Sequence, residues 1–212
     1  MELSEGLIQR KSIRAFLDKD VPKNLLAEVL SLANNAPSGS NMQPWELFIV
    51  SGDKKKELVQ LFLECQQKEQ RVYKPAYGEN VPHKYIKRTQ QLFKGLKPYL
   101  DEAGVDNKYI WNGSLNFFNA DTAVFVFIHK SLFPSRAICI GSFITYLTLA
   151  AHTKGLGTCI ILYVRIFEDI IRKFFTVPDE LVFMSSIALG YIDENNPINK
   201  FKSDREPLSI EI

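Results

Sequence analysis

The sequence predicts an α+β domain, and three observations carry that prediction. Apolar runs rich in aromatic and β-branched residues recur at Trp45–Ser51, Ala123–His129, Thr158–Val164 and Leu181–Leu189, and each reads as a strand. Between them lie stretches whose apolar residues repeat at helical spacing. The 212 residues suffice for one sizeable core and are short for two, and no repeat, linker or low-complexity block divides them. Residues 1–212 therefore read as a single domain.

Taken in order, Pro22 stands where the first turn of a helix tolerates proline, and Leu25, Leu26, Val29, Leu30 and Ala33 follow at helical spacing. This helix ends near Asn34-Asn35, ahead of Pro37. Trp45–Ser51 is the first strand; Gly52-Asp53 breaks it, and Asp53 can cap a helix running to about Gln67. Residues 70–112 change character. Tyr73, Pro75, Tyr77, Gly78, Pro82, Tyr85, Pro98, Tyr99 and Gly104 interrupt a polar segment, with one helical piece around Tyr85–Lys97. Such an excursion is either an ordinary surface loop system or a lid over a site.

Ala123–His129 is nearly continuous in apolar residues, as a strand buried on both faces is. Pro134 opens a helix from about Ser135 to Thr153 with no charge between Arg136 and Lys154. A helix apolar all round must be covered all round, which suggests a central helix shared with a second subunit. Gly155-Leu156-Gly157 ends it, and Phe167–Phe175 is helical up to Pro178. The tail, 195–212, is polar and Pro-broken, with Leu208, Ile210 and Ile212 alternating like an edge strand.

Lys and Arg number 26 against 24 Asp and Glu, a net charge of +2, so bulk charge gives no reason for a nucleic-acid or membrane partner. Any basic function must be local. Cys65, Cys139 and Cys159 have no C-x-x-C spacing and read as reduced, mostly buried thiols of a cytoplasmic protein. Met1-Glu2-Leu3-Ser4-Glu5 has no basic stretch leading into an apolar run, so no signal peptide is expected. The longest uncharged run, Ala137–Thr153, is shorter than the ~20 apolar residues a membrane span needs.

Local basic character is concentrated at Arg10-Lys11-Ser12-Ile13-Arg14-Ala15-Phe16. In an extended segment Arg10, Ser12 and Arg14 point to one side, and two guanidinium groups with a hydroxyl between them suit a phosphate. Alone, the heptapeptide reads more readily as a solvated basic turn, since short basic motifs recur by chance. Pro37-Ser38-Gly39-Ser40-Asn41 joins a helix to a strand through small hydroxyls, a glycine and an amide. It is either a helix-stop turn or a loop bringing N–H groups to a flat polar ligand. Gly155-Leu156-Gly157-Thr158 lacks the Gly-Lys-Ser/Thr ending of a phosphate loop and the third glycine of G-x-G-x-x-G. Lys202-Ser203-Asp204-Arg205 adds two cations to the tail. His83, His129 and His152 are scattered with no zinc spacing, and there is no G-x-S-x-G elbow. With no acid–base set of its own, the chain points to a borrowed cofactor.

In order, these stretches resemble the nitroreductase family of flavin enzymes over most of the chain. Arg10 to Phe16 matches its Arg-x-Ser-x-Arg-x-Phe opening, and Ala36 to Trp45 matches Ala-Pro-Ser-x-x-Asn-x-Gln-Pro-Trp. Asn116 with Phe117 and Phe118, the turn Gly155 to Cys159, Leu189-Gly190-Tyr191, Asn196-Pro197-Ile198-Asn199 and Arg205-Glu206-Pro207-Leu208 follow. The resemblance implies a single-domain nitroreductase-like fold, a central mostly antiparallel sheet flanked by helices in an intertwined homodimer with FMN at the interface. Arg10, Ser12, Arg14, Lys202 and Arg205 would hold the ribityl phosphate, and Lys11 would lie against the pyrimidine or ribityl part. Leu156 and Gly157 would pass their backbone close by. Pro37, Ser38, Gly39, Asn41 and Gln43 would come from the other subunit.

The activity implied is FMN-dependent NAD(P)H oxidation by ping-pong, with a nitroaromatic, quinone or similar flat small molecule as electron acceptor. Tyr73, Tyr77, Trp111, Phe117 and Phe118 are the candidates for lining its pocket. Ile160-Ile161-Leu162-Tyr163 and Asp121 depart from the family pattern. Dehalogenation, flavin breakdown or a flavin-binding regulatory role are therefore the alternatives.

Overall fold

The computed structural model describes residues 2–73 and 81–208. All but the last of the eight residues of β2 (Thr122–His129) are buried, and its side chains alternate between two cores. Ala123, Phe125 and Phe127 enter a phenylalanine-rich layer with Phe62, Phe117, Phe167 and Phe183. Val124, Val126 and Ile128 enter the other, with Val29, Ile140, Phe143 and Leu147. A strand between two layers has no solvent face, which is why its sequence runs apolar without alternation. β1 (Trp45–Ser51) and β4 (Leu181–Tyr191) pair antiparallel with β2 on either side, and β3 (Leu156–Ile161) pairs antiparallel with β4. The order β1-β2-β4-β3 leaves β3 at the edge.

Each face of the sheet is covered by helices. α3 (Gly52–Glu69), α5 (Lys108–Leu115) and α7 (Glu168–Phe175) supply Leu58, Phe62, Leu115 and Ile171 to the first core. α2 (Lys23–Ala33) and α6 (Ala137–Thr153) cover the second, where Trp45 stacks on Phe143 at 4.9 Å and donates its indole N–H to Asn34. α4 (His83–Glu102) stands apart, packing Leu96 and Leu100 on Ile198 of the tail. Short α1 (Leu3–Gln9) completes the set.

Several elements depart from expectation. α4 runs through Pro98, whose ring takes the place of an N–H toward Lys94; both residues are exposed, so water can satisfy the freed carbonyl. Asp53 lies inside the first turn of α3 rather than capping it, Ser51 being the residue before the helix. β3 starts at Leu156, not Thr158, because Gly155 alone, at φ +72°, ends α6. α6 is no such departure: the chain itself leaves one side open, where Ile138 is 81% exposed beside Gly141, Thr145 and Tyr146, the side a second subunit is expected to cover. Leu208 belongs to no strand, and Ile210 and Ile212 lie outside the described residues. Cys65, Cys139 and Cys159 are free and buried.

Where the chain leaves α3, Arg71 clamps it to the far wall. Its guanidinium donates to both oxygens of Asp169 (2.5 and 2.9 Å), to the Ile166 carbonyl (2.7 Å) and to Glu69 (2.7 Å), over the Phe167 ring. Bonding to Arg71 holds both carboxyls below their usual range. Groups depressed in the folded state stabilise it above the ordinary carboxylate range, and the contribution is lost as pH falls through it. The pair is largely exposed on the Asp169 side, so solvent screens it. Arg71→Ala is expected to cost about 1–2 kcal/mol at neutral pH, a fall of a few degrees in Tm. Paired melts should show that gap closing below about pH 4.

Candidate functional site

Residues 10–16 run extended along the free edge of β3. The Ile13 N–H donates to the Thr158 carbonyl at 2.9 Å, Ser12 bridges Thr158 in parallel, and Phe16 bridges Ile192. Gly157 permits that approach: a Cβ there would stand 2.7 Å from Ile13 Cγ1 and 2.8 Å from Ile192 Cγ1. Ile13 and Ala15 turn into the protein, leaving the intervening polar residues outward.

The tail reaches the same place by way of Asn199, which is 4% exposed. Its Oδ1 accepts the Arg14 N–H at 2.8 Å, and its Nδ2 donates to the carbonyls of Ala15 (2.7 Å) and Asp193 (2.9 Å). Beyond it, Phe201 seats its ring over Gly95 of α4, where an added Cβ would come within 3.3 Å. Both ends of the chain thus border one cavity of about 400 Å³. Arg10, Lys11, Arg14, Lys202 and Arg205 line it with Ser12 and Ser203 on an apolar floor of Leu7, Ile8, Leu92 and Phe201; among the described residues no carboxylate joins them.

Five uncompensated cations need an anion. Burial and then the charge of Lys202 push the Lys11 ammonium below its usual range. His152, on α6, has a buried Nε2 without a hydrogen-bond partner, and burial together with the Arg10 charge lowers its pKa. The donor set (forked guanidiniums, ammoniums and hydroxyls) fits a phosphate dianion, so the residues present fit a phosphate-bearing cofactor. Burial pushes the thiol of Cys159, behind this strand, above its usual range.

Arg14 also lines a second, open cavity of about 220 Å³. Its walls are aromatic: Trp111 and Tyr73 lie 5.3 and 5.6 Å, ring centre to ring centre, from Tyr163. Phe118 joins them through an unusual turn in which Phe117, Phe118 and Asn119 are all left-handed, at φ +58°, +53° and +64°. The turn is held by the buried Lys55, whose Nζ donates to the Ala120 carbonyl. The Phe118 ring sits directly on Gly113, where a Cβ would meet it at 2.4 Å. Phe117 points the other way, fully buried and edge-on to Phe125, and takes no part in the cavity. Tyr77 lies outside the described residues.

Lys55, Tyr163, Asn199 and Tyr109, whose hydroxyl donates to the Arg14 carbonyl at 2.6 Å, carry no role in the sequence reading. Two had a signal: Asn199 as the last residue of Asn196-Pro197-Ile198-Asn199, and Tyr163 in the departure Ile160-Ile161-Leu162-Tyr163. Leu156 is buried in the α6 core, whereas Gly157 lies against Ile13, and neither lines the cation cavity.

The loop from Pro37 to Gln43 lines neither cavity of its own chain. Ser40, Asn41 and Gln43 are left-handed, at φ +56°, +54° and +48°. The Ser38 hydroxyl accepts the Gln43 N–H, and the Gln43 amide donates to the Asn41 carbonyl. The Arg136 guanidinium lies across Gly39, so close that a Cβ would meet it at 2.3 Å. The Asn41 amide is left exposed.

The chain is thus an α+β protein with an edge-strand cation cavity beside an aromatic cleft, on a four-stranded antiparallel sheet wrapped by helices. Residues 7–191 match the nitroreductase family, and the chain belongs to it, with the nitroreductase fold. A 4-nitrobenzoate reductase of Nocardioides sp. (strain LMS-CY) is 30% identical over 208 residues, covering 94% of this chain and 84% of that protein. The crystal structure of the FMN-dependent nitroreductase NfnB from Mycobacterium smegmatis, in complex with NADPH, superposes with a TM-score of 0.83 at 24% identity, covering 96% and 93% of the two chains. An iodotyrosine deiodinase bound to FMN and 3-iodo-L-tyrosine superposes at 0.66 with 27% identity, covering 99% and 98%. The family is one of oxidoreductases, and these solved relatives are FMN proteins. Among the described residues no helix is long and apolar enough to cross a membrane, and no His, Cys, Asp and Glu cluster could hold a metal ion.

Proposed function

We propose that the chain is an FMN-dependent NAD(P)H oxidoreductase that reduces nitroaromatics, quinones or similar flat electron-poor acceptors as a homodimer. The observation that carries this reading is the convergence of five cations from both chain ends on one cavity that, among the described residues, no carboxylate lines. Bound FMN supplies the redox chemistry, taking hydride from a nicotinamide and passing electrons to the acceptor by ping-pong. Arg10, Ser12, Arg14, Lys202 and Arg205 would grip its phosphate, Lys11 its ribityl or pyrimidine part, and the backbone at Leu156 and Gly157 would lie alongside. Tyr73, Trp111, Phe118 and Tyr163 would exclude water from the acceptor and stack on it. Neither cavity has a histidine or carboxylate on its described walls, which suits positioning and electrostatics rather than side-chain acid–base work.

The homodimer rests on two surfaces the single chain leaves unused. They are the open stripe of α6 and the exposed loop Pro37–Gln43, whose Pro37, Ser38, Gly39, Asn41 and Gln43 would edge the partner's flavin. Reductive dehalogenation is the second reading, supported by the deiodinase relative. A free amino acid such as 3-iodotyrosine needs both a cation and an anion for its zwitterion. The aromatic cavity offers Arg14 and, among the described residues, no carboxylate. The nitroaromatic and quinone reading goes first because Arg14 suits the carboxylate of an acceptor such as the 4-nitrobenzoate in the name of the 30% identical relative.

One experiment separates them: anaerobic spectra of the purified protein with NADH or NADPH, followed by 4-nitrobenzoate, a quinone or 3-iodotyrosine. Bleaching by the nicotinamide and recovery with the first two is expected. A colourless protein that takes up no FMN ends both readings, and a flavin that no donor reduces indicates a binding protein. Asn41→Gly keeps the left-handed backbone while removing the amide. It is expected to weaken FMN about 5- to 30-fold, as loss of one hydrogen bond does, with Tm of the flavin-free protein unchanged.

A further inference from the structure

The chain's modest net charge hides a strong local asymmetry. From Val81 to Leu100 there are five Lys or Arg and no Asp or Glu. Within that stretch Lys97 pairs with Asp101, while Lys84, Lys87, Arg88 and Lys94 have no carboxylate partner among the described residues. Three of these, Lys84, Arg88 and Lys94, line an open groove of about 920 Å³ between α4 and the tail. The tail contributes Arg205 and two carboxylates, Asp204 and Glu206. The groove adjoins the phosphate cavity, sharing Leu92, Phe201, Ser203 and Arg205 with it. Arg205 stands at the junction with its guanidinium turned onto the Ser203 hydroxyl and the carbonyls of Ser203 and Asp204.

On the groove's wall Tyr85 is 47% exposed, with the Lys84 ammonium 5.0 Å and the Arg88 guanidinium 5.5 Å over its ring. Cations that rest on a half-exposed ring for want of a carboxylate can move to a phosphate, leaving the ring to stack a base in their place. Like charges crowded on one helix face repel, and that cost is relieved only by an anion. Nothing in the FMN grip uses these residues.

We infer that this groove takes the phosphorylated adenosine of a dinucleotide, with Tyr85 against the base and Lys84, Arg88 and Lys94 around the phosphate. The inference rests on the proposed function in one respect, that the neighbouring cavity is filled by the flavin phosphate. Two molecules carry this chemistry: NADPH, whose 2′-phosphate marks its adenosine, and FAD, whose adenylate would extend from the flavin phosphate.

The test is the double variant Lys84→Glu/Arg88→Glu, with Lys94→Glu as a second, each compared with wild type by calorimetry using adenosine 2′,5′-bisphosphate and adenosine as probes. The wild type is expected to bind the bisphosphate at least about tenfold more tightly than adenosine, and the variants are expected to lose that margin. If NADPH is the source, KM for NADPH rises at least about tenfold in the variants while KM for NADH, kcat and flavin content stay put. If FAD is the source, flavin released from wild type contains FAD and that released from the variants is FMN alone. Equal binding of both probes by wild type, or variants that bind the bisphosphate as wild type does, overturns the inference. The calorimetry is run on flavin-loaded protein, so that the phosphate cavity is filled; protein that takes up no flavin overturns the proposed function, whereas flavin-loaded protein that shows no preference for the bisphosphate overturns the groove alone.

Discussion

The double variant Arg10→Ala/Arg14→Ala is expected to fold and to purify without flavin. The strand that carries these residues is fixed through its backbone, not through their side chains. The Ile13 N–H binds the Thr158 carbonyl, the Arg14 N–H binds Asn199 and the Arg14 carbonyl accepts from Tyr109. Removing two guanidinium groups therefore leaves those anchors in place and also removes the Arg10 charge that, after burial, lowers the pKa of His152. Against a phosphate dianion each lost charge-assisted contact is worth about 1.5–3 kcal/mol, so FMN affinity should fall by about 10²- to 10⁴-fold. The measurement is the flavin-to-protein absorbance ratio after dialysis, read beside a melt of the flavin-free form. A variant that keeps the flavin ratio of wild type would show these side chains to be solvated surface, and the proposed function would go with them.

How much of this was legible in the sequence depends on how local each cause is. β1 falls at Trp45–Ser51, as its aromatic and β-branched run predicts, because Ser51-Gly52 stops it within the same stretch. The doubly buried β2 announced itself by lacking alternation. The cations of both chain ends were visible as charge, and the family resemblance said they meet. What no local pattern could show was the seam that makes them meet. Asn199 lies 185 residues from the Arg14 N–H it accepts, and an asparagine after a proline reads as a turn. The left-handed run at Phe117–Asn119 was equally hidden, since two phenylalanines at positive φ contradict their own propensity and stand only because Lys55 and Gly113 hold the turn from elsewhere. Pro98 misled in the opposite direction, its helix-breaking rule overridden by the packing of Leu96 and Leu100 on the tail.

Asn199→Leu should produce the largest loss of stability of any single change near the site, and it should loosen flavin without touching a cation. Leucine fills nearly the same volume, so the effect isolates the hydrogen bonds. It leaves the Arg14 N–H without its partner, while the carbonyls of Ala15 and Asp193 keep only the backbone N–H groups of Asp193 and Asn196. The stranded N–H costs about 1–3 kcal/mol and the two weakened carbonyls add less, together about 2–4 kcal/mol, since such losses do not add in full. In a domain of this size that lowers Tm by about 4–15 °C. Because Asn199 alone among these side chains ties the tail to residues 14–15, Lys202 and Arg205 lose their fixed position, and FMN affinity falls with stability. Excess FMN should then recover part of Tm by mass action, more in the variant's favour as concentration rises. Asn199→Asp separates the two halves of the seam: its carboxylate still accepts from the Arg14 N–H but cannot donate to the two carbonyls, so it belongs between wild type and leucine on both measurements. If the leucine variant melted with wild type, the tail would be held by Phe201 on Gly95 instead, and the meeting of the chain ends would need another cause.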